Sequence, residues 1–479
     1  TPTVVVAGGT YTGEGNVGWH LTQSVTVMAE PGASVVVSGA EPVRADQRWV
    51  DTGVRTVDGR IVWALDGVRT AGGEAHWGRG ANAAFPGVGN GVWIADDRPA
   101  AALFEQLRLD GTELEQVTAA TPLGSLSAGQ FRFDAPVSGG LGTVFVAGAV
   151  APFADSVAWT THRRAFTIEG PSAAGTEIVG IRFERFASTL RDPDRVAYGA
   201  GVIAEADRVT LTDVTITQSS GLGLYIGGSG SAPIRGVTLR RVDVTDNGAS
   251  GIDAHATDAL RIESSRIDHN NRSGFNWETA DSYSVLAGVK VTRSTGLTVR
   301  SSSVSNNRAQ GIWLDLYCEA ASIEGNALVG NWGTGAFVEI SRRVIVRDNS
   351  IAGNGAAAVD GEPHRGGVVV GGSREVMIDH NSFAANHDGH VVVYDDDDRT
   401  SPGREQGRPG DFPWDPSLTM TANVFVESSD GQQRTLWVRR GGQAASDPNG
   451  VASWTAGSGG NEIVRPSAVA ARFEVAHGE

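Results

Sequence analysis

Gly311-Ile-Trp-Leu-Asp315 is followed, after a turn, by Ala321-Ser-Ile-Glu-Gly-Asn-Ala-Leu-Val-Gly-Asn331 and then by Gly335-Ala-Phe-Val-Glu339. The two flanking pentapeptides share one template: Gly, an apolar residue, a free slot, a second apolar residue, then an acid. Two more segments fit it, Gly251-Ile-Asp-Ala-His255 and Gly274-Phe-Asn-Trp-Glu278, and each of the four glycines has an Asn four residues ahead: Asn247, Asn270, Asn307 and Asn331. A strand alternates its side chains between two faces. If the apolar pair faces a core, the fourth position faces outward, and four stacked coils would bring His255, Glu278, Asp315 and Glu339 into one outer column.

The unit recurs along the chain. Comparable strand starts at Val209, Val237, Leu260, Leu297, Ala321, Val344 and Val376 are separated by 28, 23, 37, 24, 23 and 32 residues. The shortest interval is one coil, and the longer ones are coils that carry loops. Short Val- and Ile-rich runs bounded by Gly, Asn and Ser, with no long segment of helical period, predict an all-β chain. A 23-residue unit of this kind fits a right-handed parallel β-helix. The leucine-rich repeat shares the period but requires a Leu-x-x-Leu-x-Leu-x-x-Asn motif that is absent. The recurrent Asn is expected at one turn, its amide bonding its equivalent one coil away.

The repeat starts with a coil pair in residues 1–44 and breaks between about 45 and 160. There Trp49, Trp63, Trp77, Trp93 and Phe104 are scattered, and Phe131-Arg-Phe-Asp and Val144-Phe-Val-Ala read as antiparallel strands. This interval is expected to be an inserted β-sandwich-like domain. The coils resume near Ala165 and make the main β-helix over 161–479, with Leu418-Thr-Met-Thr-Ala-Asn-Val-Phe as a late coil.

Net charge and cysteine content narrow the function. A net charge of −16 argues against a surface that tracks nucleic-acid phosphates. The single cysteine, Cys318, excludes an intrachain disulfide and has no activating neighbour in sequence. No apolar run approaches the ~20 residues of a membrane span. The chain starts at Thr1 and not at Met, so removal of an N-terminal segment, as in secretion, is the expectation. Lys290 is the only lysine, which reads as compositional bias. No cofactor or metal is implied, and a homo-oligomer is left open.

Adjacent strands of a parallel sheet are about 4.8 Å apart. Asp315 and Glu339, one coil apart, would therefore hold their carboxyls at about the 5–5.5 Å that a retaining glycosidase uses, whereas Glu278 and Glu339 would approach the wider inverting spacing. Acids crowded in a column raise the pKa of at least one, which makes a general acid at neutral pH. Asp315, with the shorter arm, is assigned as nucleophile and Glu339 as acid/base. Trp313 and Phe337 share the outward second slot and are expected to be exposed platforms for sugar rings. Asn276 and Asp253, in the same slot, are expected to bond hydroxyls, with Glu278 and His255 as further substrate contacts. Outward acids on such a fold are commonly plain solvated surface, but three in consecutive coils beside aromatics point to a site. His364, His387 and His390 read as loop or packing histidines. Asp395 to Asp398 read as a solvated acidic turn, since no Asp-x-Asp-x-Asp-Gly calcium loop is present.

Gly311-Ile-Trp-Leu-Asp315 followed by Phe337-Val-Glu-Ile-Ser341 resembles glycoside hydrolase family 120, the β-helix β-xylosidases. That family carries its nucleophile in a Gly-Ile-Trp-Leu-Asp strand and its acid/base in a Phe-Val-Glu-Val-Ser strand one coil later, and its β-helix is interrupted by a β-sandwich. The resemblance covers Gly311 to Asn349. It implies Asp315 as nucleophile, Glu339 as acid/base and an exo-acting β-xylosidase-type pentosidase on short oligosaccharides. After Asp315 the chain reads Leu-Tyr-Cys-Glu where the family has a Trp-containing continuation, which leaves the sugar open. The competing readings are a glycosidase of other specificity, a polysaccharide lyase and a non-catalytic glycan-binding β-helix.

Overall fold

A computed structural model describes residues 1–43, 47–69, 105–134, 141–153, 157–188, 200–227, 233–273, 286–356, 365–394, 418–426, 434–440, 443–445 and 459–464. Glu278, Asn276, Trp77, Trp93, Phe104, His364 and Asp395 to Asp398 lie outside them.

The chain is a right-handed parallel β-helix. Its strands fall into three long sheets of 11, 12 and 12 strands, to each of which the coils contribute one strand apiece; Gln443–Ala445 is added antiparallel at the end of one. Strands of the same sheet pair in parallel from coil to coil, as in Thr238–Arg240 with Arg261–Glu263, and Asp243–Thr245 with Arg266–Asp268. The inward Val, Ile, Leu and Phe of all three sheets form one continuous core running from Val17 to Leu436. His390 belongs inside it, between the rings of Phe383 and Phe425, with burial pushing its pKa down to about 4. It is a packing histidine.

The coil corners explain the Asn and Gly of the template. Asn247, Asn270, Asn307, Asn331, Asn354 and Asn386 form a buried ladder, each Nδ2 donating to the next Oδ1 at 2.9–3.0 Å. Each of the first five also receives on Oδ1, or gives through its backbone N–H, a bond along the same column, as in Asn307 N–H to Asn331 Oδ1. Buried amides demand partners, and a stack of identical amides supplies them without breaking the coil. The glycines make room for this ladder. A Cβ on Gly251 would lie 2.7 Å from Asn270 Nδ2, and one on Gly311 would lie 2.9 Å from Asn331 Nδ2.

The interruption enters the second coil. Thr26–Ala29 and Val35–Ser38 supply two of its strands, and Phe166–Glu169, paired with Trp19–Leu21, supplies the third. Between them an eight-stranded sheet starts at Ala40–Pro42 and ends at Val157–Thr160, which pair antiparallel. Its strand Thr112–Val117 is shared by two layers: the first half pairs antiparallel with Leu107–Leu109 and the second half parallel with Gln130–Asp134. Trp159 of one layer packs on Phe131 and Phe133 of the other, with ring centroids 5.9 and 4.9 Å apart. This small core is separate from that of the coils. Glu113 reaches back to Arg272 on the β-helix at 2.8 Å.

Candidate active site

The site lies on the outer face of the sheet that contains Ile252–His255, Ala287–Thr292, Gln310–Asp315, Ala336–Glu339, Val368–Gly371 and Gly389–Tyr394. Register fixes which side chains meet. Asp253 pairs with Lys290, Lys290 with Trp313, and Trp313 with Phe337. His255 pairs with Thr292 and Thr292 with Asp315, while Glu339 pairs with Gly371. Leu314 pairs with Val338, so one further step sets Asp315 beside Glu339 on neighbouring rungs.

This order corrects the column read from sequence. The rung between His255 and Asp315 is Thr292, and the second slot between Asp253 and Trp313 is Lys290; Glu278 and Asn276 do not supply these rungs. The strand of that coil is Ala287–Thr292, and it is Gly288 that faces the Asn ladder, its Cβ position lying 2.6 Å from Asn307 Nδ2.

The corner that follows the strand directs the fourth slot. Ala256, Arg293, Leu316 and Ile340, the residues just after His255, Thr292, Asp315 and Glu339, all have φ between 43° and 53°. The left-handed turn stops the strand at the slot residue and bends the chain away. The backbone N–H of Leu316 then donates to Asp315 Oδ1 at 2.7 Å.

The outward side chains are not exposed. Asp315 is 5% and Glu339 1% accessible, and Asp253, Lys290 and Thr292 are buried. Trp313 and Phe337 are buried as well, stacked on each other at 5.1 Å and 25°, in a cluster with Ala287, Val369, Val392 and Tyr394 distinct from the core of the coils. The expected exposed sugar platforms are thus a packed wall: the aromatic faces are taken up by each other and by Lys290. Gly371 adds to it, because the Tyr394 ring of the next rung fills the place of a side chain there and stands 6.3 Å from Phe337.

Within this wall the polar groups are linked. Trp313 Nε1 donates to Glu339 Oε2 at 3.0 Å. Lys290 Nζ lies 3.6 Å from Asp315 Oδ2 and 3.4 Å from the centroid of the Trp313 ring. His255 Nδ1 and Thr292 Oγ1 share a hydrogen bond of 2.8 Å. Burial first, and the charge of Arg293 second, lower the pKa of His255, so its ring is neutral at pH 7. Burial pushes the pKa of Asp253 up to about 6, with Lys290 opposing the rise and Asp315 adding to it. Cys318 is buried and bonds the backbone carbonyls of Val291 and Asp315, a structural role. Among the described residues no group of three or more His, Cys, Asp or Glu could hold a metal ion. No helix among them is long and apolar enough to cross a membrane.

Two residues of this constellation, Lys290 and Thr292, escaped the sequence reading. A signal for them was present. Gly288 stands nine residues before the strand start Leu297, as Gly251 does before Leu260 and Gly335 before Val344, whereas Gly274 stands 23 before it.

Known proteins speak to the architecture. The family model described as the right-handed β-helix region matches residues 198–383. No curated protein matches the chain. Among solved structures, the complex of XylC with xylose is similar over 91% of this chain and 80% of its own, with 13% identity and a TM-score of 0.54. A mutant of the periplasmic alginate epimerase AlgG is similar over 60% of this chain and 68% of its own, at 15% identity and a TM-score of 0.40. The A-module of the Azotobacter vinelandii mannuronan C-5 epimerase AlgE4 is similar over 92% and 89%, at 12% and 0.39. At such identities the likeness to XylC extends to the fold alone.

Proposed function

We propose that the chain is a retaining glycosidase, with Asp315 as nucleophile and Glu339 as acid/base, acting on short β-linked pentosides such as xylosides from one end. The observation that carries this reading is the placement of Asp315 and Glu339 on neighbouring rungs of one outer face, in a sheet whose adjacent strands are about 4.8 Å apart. A one-rung step is nearer the carboxyl spacing of double displacement than the wider spacing of an inverting pair with a water between. In the first step Asp315 attacks the anomeric carbon while Glu339 gives its proton to the leaving glycosidic oxygen. In the second, Glu339 takes a proton from water as that water displaces Asp315 from the sugar. The sugar is read from the family resemblance of residues 311–349, and XylC, which shares the fold, is a protein seen with xylose.

A lyase reading draws on one observation, the presence of Lys290 among the acids, since β-elimination needs a base next to a uronate. The position of that lysine weighs against it. Lys290 is already countered by Asp315 and flanked by Asp253, and these acids with Glu339 would repel a carboxylated sugar.

Asp315→Ala is expected to lose turnover of an activated nitrophenyl β-xyloside by more than a thousandfold, and azide is expected to restore it with an inverted glycosyl azide as product. A folded Asp315→Ala protein that azide does not rescue would remove the nucleophile role. A rise in absorbance at 235 nm with alginate or pectin would move the assignment to a lyase.

A further inference from the structure

Lys290 is the only lysine among 39 Lys and Arg residues, so every other basic position of the chain uses arginine. That single exception is buried in the candidate site. Its ammonium lies 3.6 Å from Asp315 Oδ2 and sits over the Trp313 ring at 3.4 Å, and its backbone is paired with Asp253 on one side and Trp313 on the other. A compact ammonium fits between an indole face and a carboxylate; the planar, forked guanidinium is larger and demands in-plane acceptors. The indole face holds the cation in place by cation–π attraction, which strengthens when the pair is out of water.

We propose that Lys290 is a positioning residue for the proposed reaction, acting through Asp315: its ammonium, seated on Trp313, fixes the carboxylate Oδ2 while the Leu316 N–H fixes Oδ1. The inference rests on the assignment of Asp315 as nucleophile. With one oxygen hydrogen-bonded to the backbone at 2.7 Å and the other in an ion pair with Lys290 at 3.6 Å, the carboxylate is oriented by two groups from different rungs. Preset orientation of a nucleophile lowers the barrier of the chemical step and leaves ground-state binding alone. Lys290 thereby also balances the buried Asp253, which would otherwise face Asp315 across one rung without an intervening cation.

The test is a double-mutant cycle between Lys290 and Asp315. Lys290→Met is expected to lower kcat about 10–100-fold with KM within about twofold, the usual worth of a charge-assisted contact. In the Asp315→Ala background, assayed at saturating azide, the same substitution is expected to cost less than about threefold, because the carboxylate it orients is gone. Lys290→Met leaves Asp253 buried without its cation, so Lys290→Met is also made in an Asp253→Asn background and compared with Asp253→Asn alone; the same fall in kcat is expected there. Lys290→Arg, which keeps the charge, is expected to recover part of the loss. A full loss that persists under azide rescue would show a purely structural role and overturn the proposal. So would a kcat unchanged by Lys290→Met in folded protein of either background. If azide fails to rescue Asp315→Ala with Lys290 intact, it is the nucleophile assignment that fails, and the positioning role falls with it.

Discussion

Trp313 and Glu339 stand on neighbouring rungs, two residues apart in register, and are joined by a hydrogen bond of 3.0 Å from the indole Nε1 to Oε2. The ring is held flat against Phe337 on one rung and carries Lys290 from the other, so the indole N–H has little freedom to turn elsewhere. An aromatic residue that sequence alone would present to a sugar instead holds the Glu339 carboxyl, the proposed acid/base, from within the wall.

Trp313→Phe keeps a ring in the stack but deletes the donor. Loss of a buried hydrogen bond to a carboxyl group costs about 1–3 kcal/mol, so kcat/KM for a xyloside with a poor leaving group should fall about 10–100-fold. A dinitrophenyl leaving group needs little proton assistance, and with it the loss should shrink to a few-fold. Equal losses with both leaving groups would separate Trp313 from the function of Glu339.

Asp253 gives a pH signature in stability. Tyr225 on the preceding rung, Lys290 on the next and Asp315 beyond it are the titratable groups around it among the described residues. Its pKa of about 6 is above the ordinary carboxylate value, so the folded chain keeps this proton to higher pH than the unfolded chain does. The associated stability is full below about pH 4 and is lost as pH rises through about 6, and its size is at most about 3 kcal/mol. Thermal unfolding of wild type and Asp253→Asn between pH 4 and 7 should show wild type losing ground to the variant across that window. A constant difference in Tm would contradict the raised pKa.

The register of the coils can be tested at a glycine. A Cβ on Gly288 would meet Asn307 Nδ2 at 2.6 Å and Val304 Cγ1 at 2.9 Å, both held in the packed interior. Gly288→Ala should therefore destabilise the fold by about 1–3 kcal/mol, as overpacking does, read as a lower denaturation midpoint. If residues 274–278 formed the rung, Gly288→Ala would be tolerated and the loss would fall on Gly274→Ala.

The coil architecture was legible because its rules are local. The core needs apolar residues at alternate positions, the corner needs an Asn ladder, and the ladder needs a Gly without a Cβ opposite each amide, so the 311–339 stretch carries the whole unit. The neighbouring acids Asp315 and Glu339 followed from that register. The rung before them did not. Asn270 followed four residues later by Gly274 satisfies the same spacing as the true turns, and the 37-residue interval hid 14 residues beyond the shortest coil inside one rung. Lys290 and Thr292 were lost to that decoy. Burial was also illegible: alternation tells which side chains leave the coil, but not whether other side chains cover them, and here Trp313, Phe337 and Tyr394 cover one another.

Double displacement on Asp315 is tested most directly by trapping. A dinitrophenyl 2-deoxy-2-fluoro-β-xyloside slows both steps but forms the glycosyl-enzyme faster than it is hydrolysed, and mass spectrometry of the digested protein then reads the site of attachment. One fluoroxylosyl group per chain is expected, on the peptide containing Asp315 and on that side chain. Attachment to any other residue, or turnover of an unsubstituted nitrophenyl β-xyloside that releases the inverted anomer, would contradict it.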